Sequence, residues 1–317
     1  MQTIQTVLGN INKSELGFCH SHEHIMLKKG PAYELDNQLC TEDYNKSLQE
    51  LLLLKSVGGH SLVDAQPIGA GRMQNELTSL SKDSGINIVA STGFHKPFFY
   101  NKDHWIFTAS EEEVEEVFVH ELTKGMFTNT ENSPPKDYIN NKAGQIKVAY
   151  DIKGLTPHYT RLFKAAANAS NKTNAPVMIH IDINADVNEL DKFLNKLSLP
   201  PNKRLYCHLD RAVKDICIHI QLARNGSYLE YDTICRPKYH TDDIEIQIIK
   251  KIIQNGFEDK ILLGLDTTSK RLKSYTNGNL GLDYIKRTFI PQLKNNNVSD
   301  EHIQMFMVNN PASAFSF

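Results

Sequence analysis

The stretch "GFCHSHEHIM", residues 17–26, sets His20, His22 and His24 on alternate positions behind the apolar Leu16-Gly17-Phe18. In an extended strand, side chains two apart share a face, so the three rings would point one way, and that way is inward if the strand is buried. Neutral imidazoles gathered on one buried face are a start on a metal site. The alternative is a half-buried strand whose histidines bond to backbone carbonyls or water, and an isolated H-x-H does not separate the two. The answer depends on what wall this strand belongs to and which side chains stand beside it.

Short β-like runs recur along the chain: "LGFCHSH", "HSLVDAQ", "INIVAST", "GQIKVAY", "PVMIHID", "RLYCHLD", "SYLEYDT" and "KILLGLD", eight in all. Between them lie helix-like segments such as "TEDYNKSLQELLLLKSV", "EEEVEEVFVHELTKGM", "TPHYTRLFKAAANASNKTN", "DDIEIQIIKKIIQNG" and "LDYIKRTFIPQLKNNN", with Thr41 and Thr156-Pro157 as start signals and Gly256 as a stop. Eight strand-helix units without a composition break predict an α/β fold, a single (β/α)8 TIM barrel domain spanning residues 1–317. A short N-terminal extension precedes the first strand. The longest excursion, from Gly93 to Gly144, follows strand 3, and "ENSPPKDYINN" within it reads as a surface loop and not as a domain linker. No solenoid-like repeat is present.

A formal net charge of −2 leaves no global footprint for nucleic acid or an anionic membrane. The start, "MQTIQTVLGNINKSELG", lacks the basic and apolar regions of a signal peptide, and no apolar run approaches the roughly 20 residues that span a bilayer. A soluble, cytoplasmic protein is expected. Cys19, Cys40, Cys207, Cys217 and Cys235 are odd in number and form no C-x-x-C pair, which fits reduced thiols better than a disulfide framework.

Barrel enzymes place their chemistry at the C-terminal ends of the strands. Strand 1 ends in His22 and His24, strand 4 carries Lys147, strand 5 ends in His180, strand 6 ends in His208 with Asp210 beyond it, and strand 8 ends in Asp266. Each has an ordinary explanation: packed and hydrogen-bonded histidines, a lysine paired with an acid, an aspartate capping the next helix. Their coincidence at one rim favours a metal site.

These residues sit in a sequence that resembles the phosphotriesterase-like branch of the amidohydrolase superfamily nearly end to end. "TVLGNINKSELGFCHSHEHIML" is similar to its opening signature, "GGHSLVDAQP" to its second strand and "SEEEVEEVFVHELTKGM" to its third helix; the likeness continues through "AGQIKVAY", "APVMIHI", "YCHLD", "GLDTT", "TFIPQL" and "NNPASAF". The resemblance implies metal ligation by His22, His24, Lys147, His180, His208 and Asp266, with Lys147 carrying a carbamate derived from CO2 that bridges two divalent ions. Zinc is implied first, with Mn2+ or Co2+ able to take its place. His20 is a departure, because an apolar residue is more usual there, and it reads as a core histidine. The residue types suit the chemistry. Two neighbouring dications repel, so an anionic bridge is effective. An ammonium cannot serve, but a neutral amine can react with CO2 to give an anion. Histidines add neutral nitrogen ligands and leave positions open for water and substrate.

The implied reaction is hydrolysis by a hydroxide bridging the two ions, with Asp266 orienting it and taking its proton. Asp210 either supports His208 from behind or pairs with Arg211. Basic residues gather after strands 7 and 8, Arg236 and Lys238 in "CRPKYH" and Lys270 and Arg271 in "SKRLKSY", which Tyr275 closes. Barrels often bind substrate phosphate in these two loops, and arginine and lysine suit that task. The alternative is solvated loop charges balancing Asp242, Asp243 and Asp283. Lys28, Lys29 and Lys96 are weaker candidates, and Tyr100 in "FFYNKDHW" reads as packing. The pattern resembles the family's lactonases for phosphorylated sugars, so a small-molecule lactone, an aldono-1,4-lactone phosphate, is the expected substrate. Phosphotriesterase, amide hydrolase, acyl-homoserine lactonase and a non-catalytic metal-binding barrel are the rivals. Oligomeric state is left open, a homodimer included.

Overall fold

The computed structural model describes residues 2–317. A short antiparallel hairpin, β1 (Thr3–Thr6) and β2 (Gly9–Asn12), precedes the barrel. The wall is built from β3 (Cys19–Glu23), β4 (Ser61–Asp64), β5 (Asn87–Val89), β6 (Ser91–Gly93), β7 (Gln145–Tyr150), β8 (Val177–Ile181), β9 (Arg204–Cys207), β10 (Tyr228–Tyr231) and β11 (Ile261–Leu263). Pairing is parallel from β3 through β5 and again from β6 through β11. β5 and β6 are two pieces of one extended run interrupted at Ala90, so each of the eight expected strands is present, the third of them in two pieces.

The wall closes between β11 and β3. The Asp266 amide donates to the His22 carbonyl at 3.0 Å. Gly264 makes that approach possible, because a Cβ there would stand 2.8 Å from the His22 oxygen. The result is a (β/α)8 barrel. Its lower end is filled by Ile4 of the hairpin, which clusters with Cys19, Val63, Val89, Met178, Leu205, Leu262 and Phe315. Strands covered on both faces are apolar runs interrupted only where a side chain turns to the rim.

Helices begin where short polar side chains can accept their first amides: Asp43 before Tyr44–Ser56, Ser110 before Glu111–Thr123, and Thr156 with Pro157 before Pro157–Thr173. Thr41 does not start a helix; it pairs with Leu27, and the Asp43 carboxylate, accepting from the Lys46 amide, sets the boundary instead. Gly256 lies just past Asp242–Gln254 with φ +77°, a left-handed conformation that glycine adopts freely. The excursion after β6 runs over the rim and returns through a narrow ladder, Met126 N to Asn141 O at 2.8 Å and Ile139 N to Met126 O at 2.9 Å. "ENSPPKDYINN" lies at the surface of that return. Among the described residues, no helix is long and apolar enough to cross a membrane.

Candidate functional site

The strand ladder does not carry the three N-terminal histidines on one face. Pairing between β3 and β4 shifts register between His20 and Glu23, so the alternation expected from sequence breaks there. His20 turns to Glu23, with Nδ1 2.7 Å from the carboxylate, and both side chains are fully buried. The same Glu23 oxygen accepts the Leu265 amide at 3.0 Å. This pair ties the first strand to the segment after the last one. His22 and His24 remain on the rim, as expected.

Four other side chains meet them. Lys147 stands midway along β7 and His180 near the end of β8. His208 and Asp266 follow β9 and β11 and hold left-handed backbones, φ 62° and 47°. Neither is glycine, so each is a locally strained position of the kind that concentrates at functional sites. Lys147 Nζ lies 3.2 Å from His22 Nε2 and 3.9 Å from Cys207 Sγ. His208 Nε2 and His180 Nδ1 face each other at 2.8 Å. Asp266 Oδ1 lies 3.6 Å from His24 Nε2 and 3.8 Å from His22 Nε2. One atom each from His22, His24 and Asp266 can be placed with all three within 4.8 Å of one another. The six residues picked from five strands therefore converge on one place.

The donor set fits divalent cations. Lys147 is fully buried, and no carboxylate of the described residues reaches within 4.0 Å of Nζ, so an ammonium there would be an unpaired buried charge. Burial, then the nearby Arg211, pulls the His208 pKa down to about 3, and burial, then His208 and Lys96, holds His180 well below its usual value. Both rings are neutral and ready to ligate without losing a proton. His22 differs. Burial and Lys147 oppose its charge, but Cys207, Glu230 and Asp232 outweigh them, so a cation at Nε2 would displace a proton while the acids keep Nδ1–H.

Those acids were not foreseen from sequence. They are alternate residues on and just beyond β10: Asp232 Oδ1 lies 2.6 Å from His208 Nδ1, and Glu230 Oε2 lies 3.1 Å from His22 Nδ1. Each fixes which nitrogen of its histidine is presented forward. Asp210 stands behind Asp232, accepting the amides of Asp232 and Thr233 at 3.0 and 2.7 Å; its contact with Arg211 is through the backbone amide. Asp232→Asn should weaken metal retention by roughly tenfold to hundredfold in a competitive chelator titration. Unchanged retention would remove Asp232 from this role.

Above the centre lies a cavity of about 220 Å³, to which Lys147, His180, His208 and Asp266 contribute together with Lys96, Arg211, Arg236, Lys238 and Tyr239. Lys238 Nζ sits 4.8 Å over the Tyr239 ring, and the guanidinium of Arg211 lies 5.0 Å over it. Arg236 faces the cavity but bonds to Asp266 Oδ2, which Arg211 also reaches at 2.9 Å. Arg211 entered the sequence reading only as a possible mate of Asp210, and Lys96 only as a weaker candidate. Three expected phosphate contacts do not line this cavity. The Arg271 guanidinium is buried and donates to the carbonyls of Ile234, Cys235 and Leu265, bracing the loops from beneath. Lys270 is exposed outside it. The Tyr275 hydroxyl bonds to Ser47 and the Asp43 carbonyl. Tyr100 packs, as expected, with its hydroxyl accepting the His95 amide.

A profile of the phosphotriesterase family matches residues 2–315. The phospho-furanose lactonase of Mycoplasmopsis synoviae is 29% identical over 322 residues, covering 99% of this chain and 91% of that protein. The N-acetyltaurine hydrolase of Danio rerio is 25% identical over 356 residues, covering 99% and 98%. Among solved structures, a lactonase from Listeria monocytogenes superposes with a TM-score of 0.89 at 29% identity, with 99% of each chain covered. With its cluster of potential metal ligands and a match over nearly its whole length, this chain belongs to the phosphotriesterase family and is a metal-dependent hydrolase.

Proposed function

We propose that the protein is a binuclear metal lactonase that opens a phosphorylated furanose lactone, an aldono-1,4-lactone phosphate. His22, His24 and Asp266 would serve one ion and His180 and His208 the other, with carbamylated Lys147 shared. Zinc is the first choice of metal, with Mn2+ or Co2+ able to replace it. The observation that carries the reading is the set of cations, Arg211, Arg236 and Lys238, lining the same cavity as the ligand cluster. The likeness to proteins named as lactonases supports it.

Bound ions would supply an activated water and a Lewis acid for the carbonyl. The chain's residues do the rest. Asp266 Oδ2 is held by two arginines, which leaves Oδ1, on the side of His22 and His24, to accept the proton of the attacking water. The carbonyl carbon gains the hydroxyl, the ring C–O bond breaks, and that proton passes to the departing ring oxygen. Lys238, which has no carboxylate partner among the described residues, would take the phosphate.

The test is a substrate panel on metal-loaded protein: furanose lactones with and without phosphate, an acyl-homoserine lactone, a neutral phosphotriester and N-acetyltaurine, an amide bearing a sulfonate. The phosphorylated lactone should have the highest kcat/KM. Lys238→Ala should lower that value by roughly tenfold to a hundredfold, keep both metals, and leave the unphosphorylated lactone nearly unchanged. Equal losses on both lactones would end the phosphate assignment, and faster turnover of any other panel member would replace the function proposed.

A further inference from the structure

His95 lines the cavity but is not one of the six side chains proposed to hold the ions. It follows β6 and is held firmly. Phe94 before it is fully buried against Tyr159 and Phe163. The His95 amide donates to the Tyr100 hydroxyl at 2.7 Å, and its ring stacks on Phe99 with centroids 3.6 Å apart. The ring of His180 lies 5.3 Å away. His95 Nδ1 accepts the backbone N–H of Lys96 at 2.7 Å. A nitrogen that accepts carries the lone pair, so the proton of the neutral ring is on Nε2. No hydrogen bond to Nε2 is made among the described residues, so this N–H is left for whatever fills the cavity.

We propose that His95 sets the substrate class, its Nε2–H donating to a ring hydroxyl of the lactone so that a polyhydroxylated ring is selected over an alkyl-substituted one. The proposal rests on the lactonase reading above and deepens it. A fixed, neutral donor in a buried wall is poor at transferring a proton but strongly selective, because a ligand lacking the matching hydroxyl leaves it unpaired. An acyl-homoserine lactone offers no ring hydroxyl to meet it. The donor also differs from the cations nearby, which recognise charge and not the pattern of hydroxyls.

The experiment compares a furanose lactone with its deoxy counterpart, each with and without phosphate, in the unaltered protein, His95→Phe and His95→Gln. Phenylalanine keeps the stack on Phe99 and removes the donor; glutamine restores an N–H. His95→Phe should lower kcat/KM on the hydroxylated lactone by roughly tenfold to a hundredfold, and change the deoxy lactone less than about threefold. His95→Gln should recover part of the loss, and metal content should be the same in all three proteins. Equal loss on both lactones, no loss on either, or loss of metal would overturn the proposal. Failure of the unaltered protein to favour phosphate would count against the proposed function alone, because the unphosphorylated pair still reads the hydroxyl contact.

Discussion

Lys147→Ala, expressed with ample zinc and bicarbonate, is expected to come out nearly free of metal and inactive, and the unaltered protein to carry about two equivalents. The loss should exceed the roughly tenfold to hundredfold expected for an outer partner such as Asp232, because on the proposed binuclear reading a ligand shared by both ions is removed. The structural reason is the charge around Nζ: fully buried, 3.2 Å from His22 Nε2, with no acid of the described residues within 4.0 Å. Reaction of the amine (R–NH2) with CO2 would form an N–C bond, release one proton and leave a carboxylate-like anion where two cations would need one. A short carboxylic acid added to Lys147→Ala should restore part of the metal content, which a merely misfolded protein would not permit. Lys147→Arg gives the sharper contrast, since a guanidinium fills much of the space but stays cationic and carries no carbamate. A fully metallated, active Lys147→Arg protein would reduce Lys147 to a structural role.

The sequence made the wall legible because parallel barrel strands are short apolar runs, and their ends carry side chains that apolar packing does not call for. His22, His24, Lys147, His180, His208 and Asp266 stood out for that reason, and the structure brings all six together. The β3 irregularity was hidden, because a register shift is a property of the pairing with β4 and not of the local pattern; hence the expected shared face of His20, His22 and His24 was wrong for His20. The loop cations were legible as a group but not one by one. Arg271 and Arg236 look alike in sequence, yet one is spent on three carbonyls beneath the loops and the other reaches Asp266. Which way a long side chain leaves an irregular loop depends on tertiary contacts that no period encodes. Glu230 and the bond from Arg211 to Asp266 were missed for a related cause: each contact joins residues remote in sequence, Glu230 with His22 and Arg211 with Asp266. His95 carried one weak signal, its place directly after Gly93-Phe94 at a strand end. Gly93 itself is required there, with φ +103° and no room for a Cβ beside the Lys147 carbonyl.

Asp266→Asn should separate chemistry from substrate holding. Burial opposes ionisation of Asp266, but Arg236 and Arg211 outweigh it and hold its carboxyl well below the usual range. Because the folded-state value is depressed, this charge favours the folded state above the ordinary carboxylate pKa of about 4, and that contribution is lost as pH falls toward the folded value. The carboxylate is thus ionised at neutral pH, with Oδ1 free to act. Asparagine keeps the shape and the hydrogen bonding to the arginines in part, but it cannot take a proton from water and is a poorer ligand. Loss of a general base costs roughly a hundredfold to ten-thousandfold. The fall should appear in kcat and be equal for phosphorylated and unphosphorylated lactones, whereas Lys238→Ala affects only the former. The substitution also takes from Arg236 its anion and from Arg211 the nearer of its two, so inorganic phosphate should inhibit the variant at lower concentration than it inhibits the unaltered protein. Retention of a tenth or more of the original kcat with both ions bound would remove Asp266 from the proton transfer and move the search for the base to another group at the same rim.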